Sequence, residues 1–195
     1  MNRLRLALAQ EAARIMAEHG VRDFLFAKRK AAERLGVQDT AALPRNSEIE
    51  AALQEYQRLF GADTHAESLE AQRRVAIDVM RRLQRFEPRL VGPVLQGTAT
   101  EHDDVTLHVF VDRMETLTFA LLDQNVRFEI SECRLRLNAE RVVQQPTVLI
   151  EVDGQPVELV VFDYDGLRQA PVSKVDGKPM RRADRAEVER LLDQA

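Results

Sequence analysis

The chain has 195 residues, of which 45% are hydrophobic and 31% are charged, and its formal net charge is −4 at pH 7. This composition excludes a disordered chain, and the apolar runs are far shorter than the ~20 residues that a membrane-spanning helix requires. The first 90 residues carry a net charge of +3 and the remainder −7, so we expect neither a nucleic-acid partner nor a membrane partner.

The N-terminal segment and the cysteine content indicate a cytoplasmic protein. Residues 1–6 carry charges at intervals and continue into an amphipathic pattern, which is not typical of a signal peptide. Cys133 is the only cysteine, so an internal disulfide is excluded and a reducing compartment is favoured. We therefore expect a soluble, bacterial-type protein in the cytoplasm.

The first 87 residues are predicted to be helical. Apolar residues recur at helical spacing until Gly20 ends a first helix: Leu4, Leu8, Ala12, Ile15 and Met16. Asp23 is a suitable N-cap for a second helix, which Gly36 terminates. This second helix contains the basic segment Lys28–Arg34, which we interpret as a solvated helix face rather than as a nucleic-acid contact.

Two longer helices are predicted after a loop over residues 37–46. Ser47 followed by Glu50 fits a capping box at the start of the third helix, and Gly61 ends that helix. The fourth helix is predicted over residues 64–86 and stops at the proline that follows it. Its arginines are expected to pair with acids one helical turn away.

Strand-forming residues dominate after Pro88. The segments Arg89–Leu95 and Val105–Val111 are apolar and rich in β-branched residues, so both are predicted strands. A helix is predicted over residues 112–124, and alternating apolar residues predict a further strand over residues 126–137.

A hairpin is predicted around the dipeptide Asp153-Gly154, which is a strong turn signal between the strands Thr147–Val152 and Val157–Phe162. The two residues after the dipeptide are predicted to lengthen the loop. A loop over residues 164–180 then precedes a terminal helix capped by Asp184. The order of elements predicts an α+β fold in which a helical region, 1–87, packs on a mixed-sheet α/β region, 88–195, as one compact unit.

A glycine turn followed by an acidic strand lies in the middle of the sequence. Gly92 closes one apolar segment and Gly97 lies in the spacer, while Asp104 opens a strand that continues through Thr106 and His108. Residues at positions i and i+2 of a strand face the same side, so this strand presents those three side chains together.

A second acid, Glu158, stands between apolar residues of a later strand. A carboxylate is costly to bury without a partner, so we expect a charged or metal partner for it. Arg134 or Arg136 would satisfy this carboxylate without any metal.

This order of motifs resembles the DNA polymerase β-like nucleotidyltransferase superfamily over about residues 75–163. The family has a glycine turn, a strand with two acids separated by one residue, and a third acid in a neighbouring strand. The resemblance implies a nucleotidyltransferase-like fold, a nucleoside triphosphate as substrate, and Mg²⁺ as the cofactor of any transfer. It also implies residue roles: Asp104 and Glu158 as catalytic, metal-binding carboxylates, and Gly92, Gly97, Thr106 and His108 as nucleotide-binding residues.

Two residues depart from the family pattern at chemically important positions. Pro93 stands where the family has a serine, and it has no N–H to offer a phosphate. Thr106 stands where the family has the second carboxylate, and a neutral hydroxyl does not replace that charge. We therefore predict weak or no transfer activity.

Several alternatives stay open at the level of sequence. Asp104 is also a suitable strand-start residue, and His108 is also compatible with a satisfied, half-buried histidine. The competing function is a non-catalytic protein-interaction module on the same fold, with a homodimer or another protein as its partner.

Overall fold

The computed structural model describes residues 3–38, 42–60, 62–138 and 141–193. The predicted helix end at Gly61 and part of the predicted loop over residues 37–46 lie outside these ranges. Seven α-helices lie in the described chain: α1 Arg3–His19, α2 Phe24–Arg34, α3 Asn46–Phe60, α4 Ala62–Arg82, α5 Gly92–Gln96, α6 Met114–Asp123 and α7 Arg185–Asp193. Five strands form one sheet: β1 Arg89–Val91, β2 Val105–Phe110, β3 Phe128–Arg136, β4 Val142–Val152 and β5 Gln155–Phe162.

The chain divides into two compact units, and α4 contributes to both. The helical unit consists of Met1–Ser68, Gly97–Asp103 and Lys174–Asp176, whereas the sheet unit consists of Leu69–Gln96, Asp104–Ser173 and Gly177–Ala195. This architecture confirms the predicted α+β class with a helical N-terminal region and a mixed sheet. No helix of the described chain combines the length and the apolar character that crossing a membrane requires.

The helical unit is built on a small-residue core between α1, α2 and α3. Its fully buried members include Leu8, Ala12, Ala27, Ala31 and Ile49. Small side chains allow the helices to approach closely, which explains why alanine recurs at the buried positions.

The structure confirms the predicted N-terminal cap of α2 but not the predicted cap of α3. The carboxylate of Asp23 accepts hydrogen bonds from the N–H groups of Leu25 (2.7 Å) and Phe26 (3.0 Å), as predicted. The predicted capping box at α3 is wrong, because α3 begins at Asn46 and Glu48 is the residue whose carboxylate accepts from the Arg45 N–H at 2.6 Å. Glu50 lies two residues further along the helix.

The sheet has the strand order β1-β2-β5-β4-β3 and mixed pairing. β2 and β5 are parallel neighbours, and the other three pairings are antiparallel. The predicted strand Arg89–Leu95 is wrong after Val91, because Gly92 adopts φ 73° and the chain turns into the short helix α5. Pro93 is compatible with this first helical turn, where its missing N–H would have no partner.

The hairpin between β4 and β5 is tighter than the sequence predicts. Val152 pairs directly with Gln155, so the loop contains only Asp153 and Gly154, and the predicted lengthening is wrong. Both loop residues have positive φ, 52° and 79°, as a type I′ turn requires. β4 also begins at Val142, earlier than predicted, because it stays in register with β3 along the whole of that strand.

Candidate functional site

The predicted glycine turn and the two predicted carboxylates meet at one end of three neighbouring strands. Val91 of β1 is the Cα partner of Thr106 in β2, and Thr106 is the Cα partner of Glu158 in β5. Gly92 directly follows this row and Asp104 lies two residues before Thr106. Neighbouring strands are separated by about 4.8 Å, so Thr106 and Glu158 lie side by side although they are distant in the chain, and Asp104 lies two residues along from that row, just before β2 begins.

The same face of the sheet changes from half-open to closed along β2 and β5. Thr106 and Glu158 are half-buried, whereas the next residues on that face, His108 and Phe110 in β2 and Phe162 in β5, are at most 5% exposed. The half-open part of this face is therefore confined to the end of the sheet where β2 and β5 begin and β1 ends. Next to this end, a Cβ added to Gly92 would meet no atom within 4 Å, so the backbone there is open to approach.

The donors at this end do not fit a two-metal centre. Such a centre uses carboxylates to hold both ions, and the position between Asp104 and Glu158 offers only the hydroxyl of Thr106. In the parts of the chain that the structure describes, no three His, Cys, Asp or Glu side chains converge to hold a metal ion. We therefore assign no chemical step to a metal.

His108 is buried and is held by an arginine. Its ring is 1% exposed, and its Nδ1 accepts a hydrogen bond from Nε of Arg182 at 2.9 Å. Burial, together with the charge of Arg182, lowers the pKa of His108 to about 3. The imidazole is thus neutral at pH 7, with its proton on Nε2 because Nδ1 is the acceptor. This environment favours the interpretation of a satisfied buried histidine.

Arg182 is the site residue that the sequence interpretation missed. Its Nη1 donates to the carbonyl oxygen of Gly166 at 2.6 Å, and its guanidinium carbon lies 5.0 and 5.2 Å from the ring centroids of Phe110 and Phe162. Burial, with a smaller contribution from the charge of Arg89, lowers the pKa of Arg182 to about 10. No local signal in the sequence identifies this arginine, because its partner is 74 positions away in the chain.

Gly97 belongs to the helical unit, where its loop is tied to α3. Nε2 of Gln57 donates to the carbonyl oxygen of Thr98 at 2.9 Å, and Oγ1 of Thr98 donates to Oε1 of Glu50 at 2.9 Å. Burial raises the pKa of Glu50, the hydrogen bond from Thr98 opposes this shift, and the charge of Asp103 adds to it. Glu50, which the sequence assigned to a cap, therefore anchors the spacer between Gly92 and Asp104.

Most of the basic side chains singled out in the sequence are engaged within the protein. In α2, Lys30 pairs with Glu33 and Arg34 with Glu11, each at 2.9 Å. In α4, Arg73 is only 7% exposed and donates to the carbonyl oxygens of Val94 and Leu191, both at 3.3 Å. This arginine contacts the ends of α5 and α7, so it has a structural role near the glycine turn.

A groove of about 810 Å³ lies elsewhere in the sheet unit, between the end of α6 and the adjoining ends of β3 and β4. Leu122, Phe128 and Ile150 are among the side chains that line it. None of the predicted site residues lines this groove, so its volume gives no support to their predicted roles.

Comparisons with protein-family models, with curated proteins and with solved structures gave no match to this chain. The functional interpretation therefore depends on the order of the motifs and on the geometry of the strand ends.

Proposed function

We propose that this protein is a nucleotidyltransferase-like protein that binds a nucleoside triphosphate at the half-open ends of β1, β2 and β5, with weak or no transfer. The observation that carries the proposal is the row Val91–Thr106–Glu158, which brings Gly92 and Asp104 to the end where Glu158 lies. Gly92 supplies an open stretch of backbone for the phosphates.

Thr106 explains why transfer is expected to be weak. The developing charge on transferred phosphoryl groups is stabilised mainly by metal ions and fixed positive groups. With a hydroxyl between the two acids, Mg²⁺ enters this proposal only as the counterion of the triphosphate. The protein then contributes binding and orientation.

The direct test is a calorimetric titration of the full chain with ATP and with GTP in the presence of Mg²⁺. We expect binding to the wild type and a loss of at least tenfold in affinity for Glu158→Ala, which removes a carboxylate that would hold the Mg²⁺ counterion. We expect a similar loss for Gly92→Asn, which fills the open backbone with a residue that tolerates positive φ. A wild type that binds neither nucleotide, or variants that bind as well as the wild type, would contradict the proposal.

A restoring substitution gives a sharper test. Thr106→Asp places a carboxylate two residues after Asp104 on the same strand face, so we expect it to tighten Mg²⁺ binding by at least tenfold, measured by calorimetry. Thr116→Asp is the matched control, because it adds the same charge at an exposed position of α6. Equal Mg²⁺ affinities for the two variants would show that the strand ends do not form the metal side of an ancestral site.

The alternative, a non-catalytic interaction module, is favoured by Pro93 and Thr106, which replace the two family residues with the most direct chemical roles. The same titrations separate the two functions. If the folded wild type binds no nucleotide and Thr106→Asp binds Mg²⁺ no more tightly than its control, the results favour the interaction module over a nucleotide-binding protein.

A further inference from the structure

The outer face of α6 presents two large apolar side chains to solvent. Phe119 is 63% exposed and Leu122 is 56% exposed. Residues three positions apart are neighbours on a helix surface, so these two side chains form one apolar strip. The inner face of the helix, which includes Leu117, Ala120 and Leu121, is buried. The helix thus has one packed face and, opposite it, an apolar strip that the described part of the chain leaves exposed.

The groove of about 810 Å³ continues this apolar strip at the C-terminal end of α6. Leu122 belongs to both, and Val126, Phe128 and Leu149 are further apolar residues of the lining. Scattered apolar residues are ordinary on a protein surface, but a strip that runs into a groove indicates an interaction surface. An apolar side chain carried on another helix would lose solvent contact at this place.

The charges of the groove are complementary to those at the start of the same helix. The lining contains Arg127 and, two residues further along the chain, Glu129, together with Glu151. The start of α6 has the reverse order, because Arg113 directly precedes the helix and Glu115 follows two residues later. All five side chains are exposed. Since the groove and its complement lie at opposite ends of one helix, the occupant that fits is a second copy of this chain.

A left-handed cap fixes the position of the groove relative to α6. Asn125 has φ 54°, and the N–H of Val126 donates to the carbonyl oxygen of Leu121 at 2.9 Å. Both are features of a Schellman-type helix end. The chain therefore leaves the helix in a defined direction, and Arg127 lies just beyond its C-terminal end.

Only an antiparallel arrangement of the two helices brings the first turn of one copy to the groove of the other. A two-fold axis at Phe119 would place Glu115 of each copy opposite Asp123 of the other, which is an unfavourable contact between like charges. A two-fold axis midway between Phe119 and Leu122 places these two residues against each other in both directions. The same axis brings Glu115 of each copy to the C-terminal end of the other α6, next to Arg127.

We propose that two copies of this chain associate through antiparallel packing of their α6 helices, with the first turn of each helix at the groove of the other copy. Phe119 of each copy contacts Leu122 of the other, and two Glu115–Arg127 pairs lie at the ends of the interface. The interface does not depend on the proposed nucleotide site. One face of a helix of 10 residues, about 15 Å long, is small for a protein interface, so we expect a dissociation constant on the order of 10–100 μM.

Sedimentation velocity of the full chain, over a concentration series that spans this dissociation constant, tests the apolar contact. Leu122→Asp places a charge in that contact twice per dimer, so it should weaken dimerisation at least tenfold. Leu59→Asp is the matched control and should dimerise like the wild type, because Leu59 is also 56% exposed and is also the next-to-last residue of its helix, α3. A wild type that stays monomeric, or equal losses for the two variants, would overturn the proposal.

Charge exchange between the two ends of α6 tests the register. Glu115→Arg and Arg127→Glu each replace two contacts between opposite charges by two contacts between like charges, so each should weaken dimerisation by about tenfold. The double variant Glu115→Arg/Arg127→Glu restores opposite charges and should dimerise like the wild type.

Mixing the two single variants provides an internal rescue. A Glu115→Arg chain has only positive side chains at these two positions and an Arg127→Glu chain only negative ones, so the mixture should form a heterodimer at a concentration at which neither variant dimerises alone. Both side chains are exposed, and circular dichroism checks that each variant is folded. A dimer that is insensitive to the single changes, or a mixture that gives no heterodimer, would overturn this register and the proposal with it.

Discussion

At the scale of single residues, Arg182 packs on the closed part of the sheet face, against Phe110 and Phe162. None of its described contacts is with a carboxylate. Its Nε and Nη1 donate in different directions, to the imidazole of His108 and to the backbone of Gly166. Its planar guanidinium also packs against both Phe110 and Phe162, whose rings stack on each other with centroids 5.8 Å apart. An arginine therefore satisfies hydrogen-bonding and packing requirements that a point charge would not.

This geometry predicts that Arg182→Lys destabilises the protein by about 1–3 kcal/mol, because one ammonium group does not replace two divergent donors and a buried acceptor remains unsatisfied. Urea denaturation measures the loss. Arg181→Lys is the control: this neighbouring arginine is exposed and pairs with Glu187, so its replacement is expected to change stability by less than about 0.5 kcal/mol. Similar losses for the two variants would argue against a specific role for Arg182.

At the scale of elements, the turn between β4 and β5 fixes the position of Glu158. Because the loop has only two residues, a change in its length would shift the register of β5 and move Glu158 to the other face of the sheet. The positive φ of Gly154 is therefore a requirement of the site as well as of the hairpin.

We accordingly predict that Gly154→Ala lowers the free energy of unfolding by about 1–2 kcal/mol, because φ 79° is strained for a residue with a Cβ. Gly154→Asn should be less destabilising, since asparagine tolerates the left-handed region. Chemical denaturation gives both values. A Gly154→Ala variant as stable as the wild type would show that the turn relaxes without strain.

At the scale of the whole molecule, the buried neutral His108 links stability to pH. Its pKa is lowered to about 3 in the folded state, whereas an unfolded histidine titrates near pH 6.5. The unfolded chain therefore binds more protons between these values. The contribution of His108 is fully present above about pH 6.5 and is lost as the pH falls.

This linkage predicts that the His108 contribution decreases by at most about 2 kcal/mol between pH 6.5 and pH 5, at up to 1.36 kcal/mol per pH unit. Denaturation curves at both pH values, for the wild type and for His108→Gln, measure this difference. The glutamine variant should have a shallower pH dependence. Val160→Ala, at the buried position of β5 that is the Cα partner of His108, should lose stability equally at both pH values, because it removes no titrating group. An unchanged pH dependence in His108→Gln would contradict the prediction.

The sequence by itself determined the elements whose signals are local. Asp23 caps α2 because a short side-chain oxygen satisfies the first free N–H groups. Asp153-Gly154 marks the position of the hairpin turn because both residues tolerate positive φ, although the sequence predicted a longer loop than the two residues that form it. The alternation of apolar and polar residues around Thr106 and Glu158 likewise indicates strands with one buried face and one half-open face at this end.

Only the tertiary structure decided the interactions between distant segments. Local signals did not distinguish Glu48 from Glu50 as the capping acid, and Glu50 instead accepts a hydrogen bond from Thr98, 48 positions along the chain. The pairing of His108 with Arg182 and the closure of the β1 edge by Ala183 also join segments that are distant in sequence. Periodicity and caps depend on neighbours within a few residues, whereas burial and strand adjacency depend on how the whole chain packs. That is why the sequence predicted which residue types a site would need and the fold determined which of them meet.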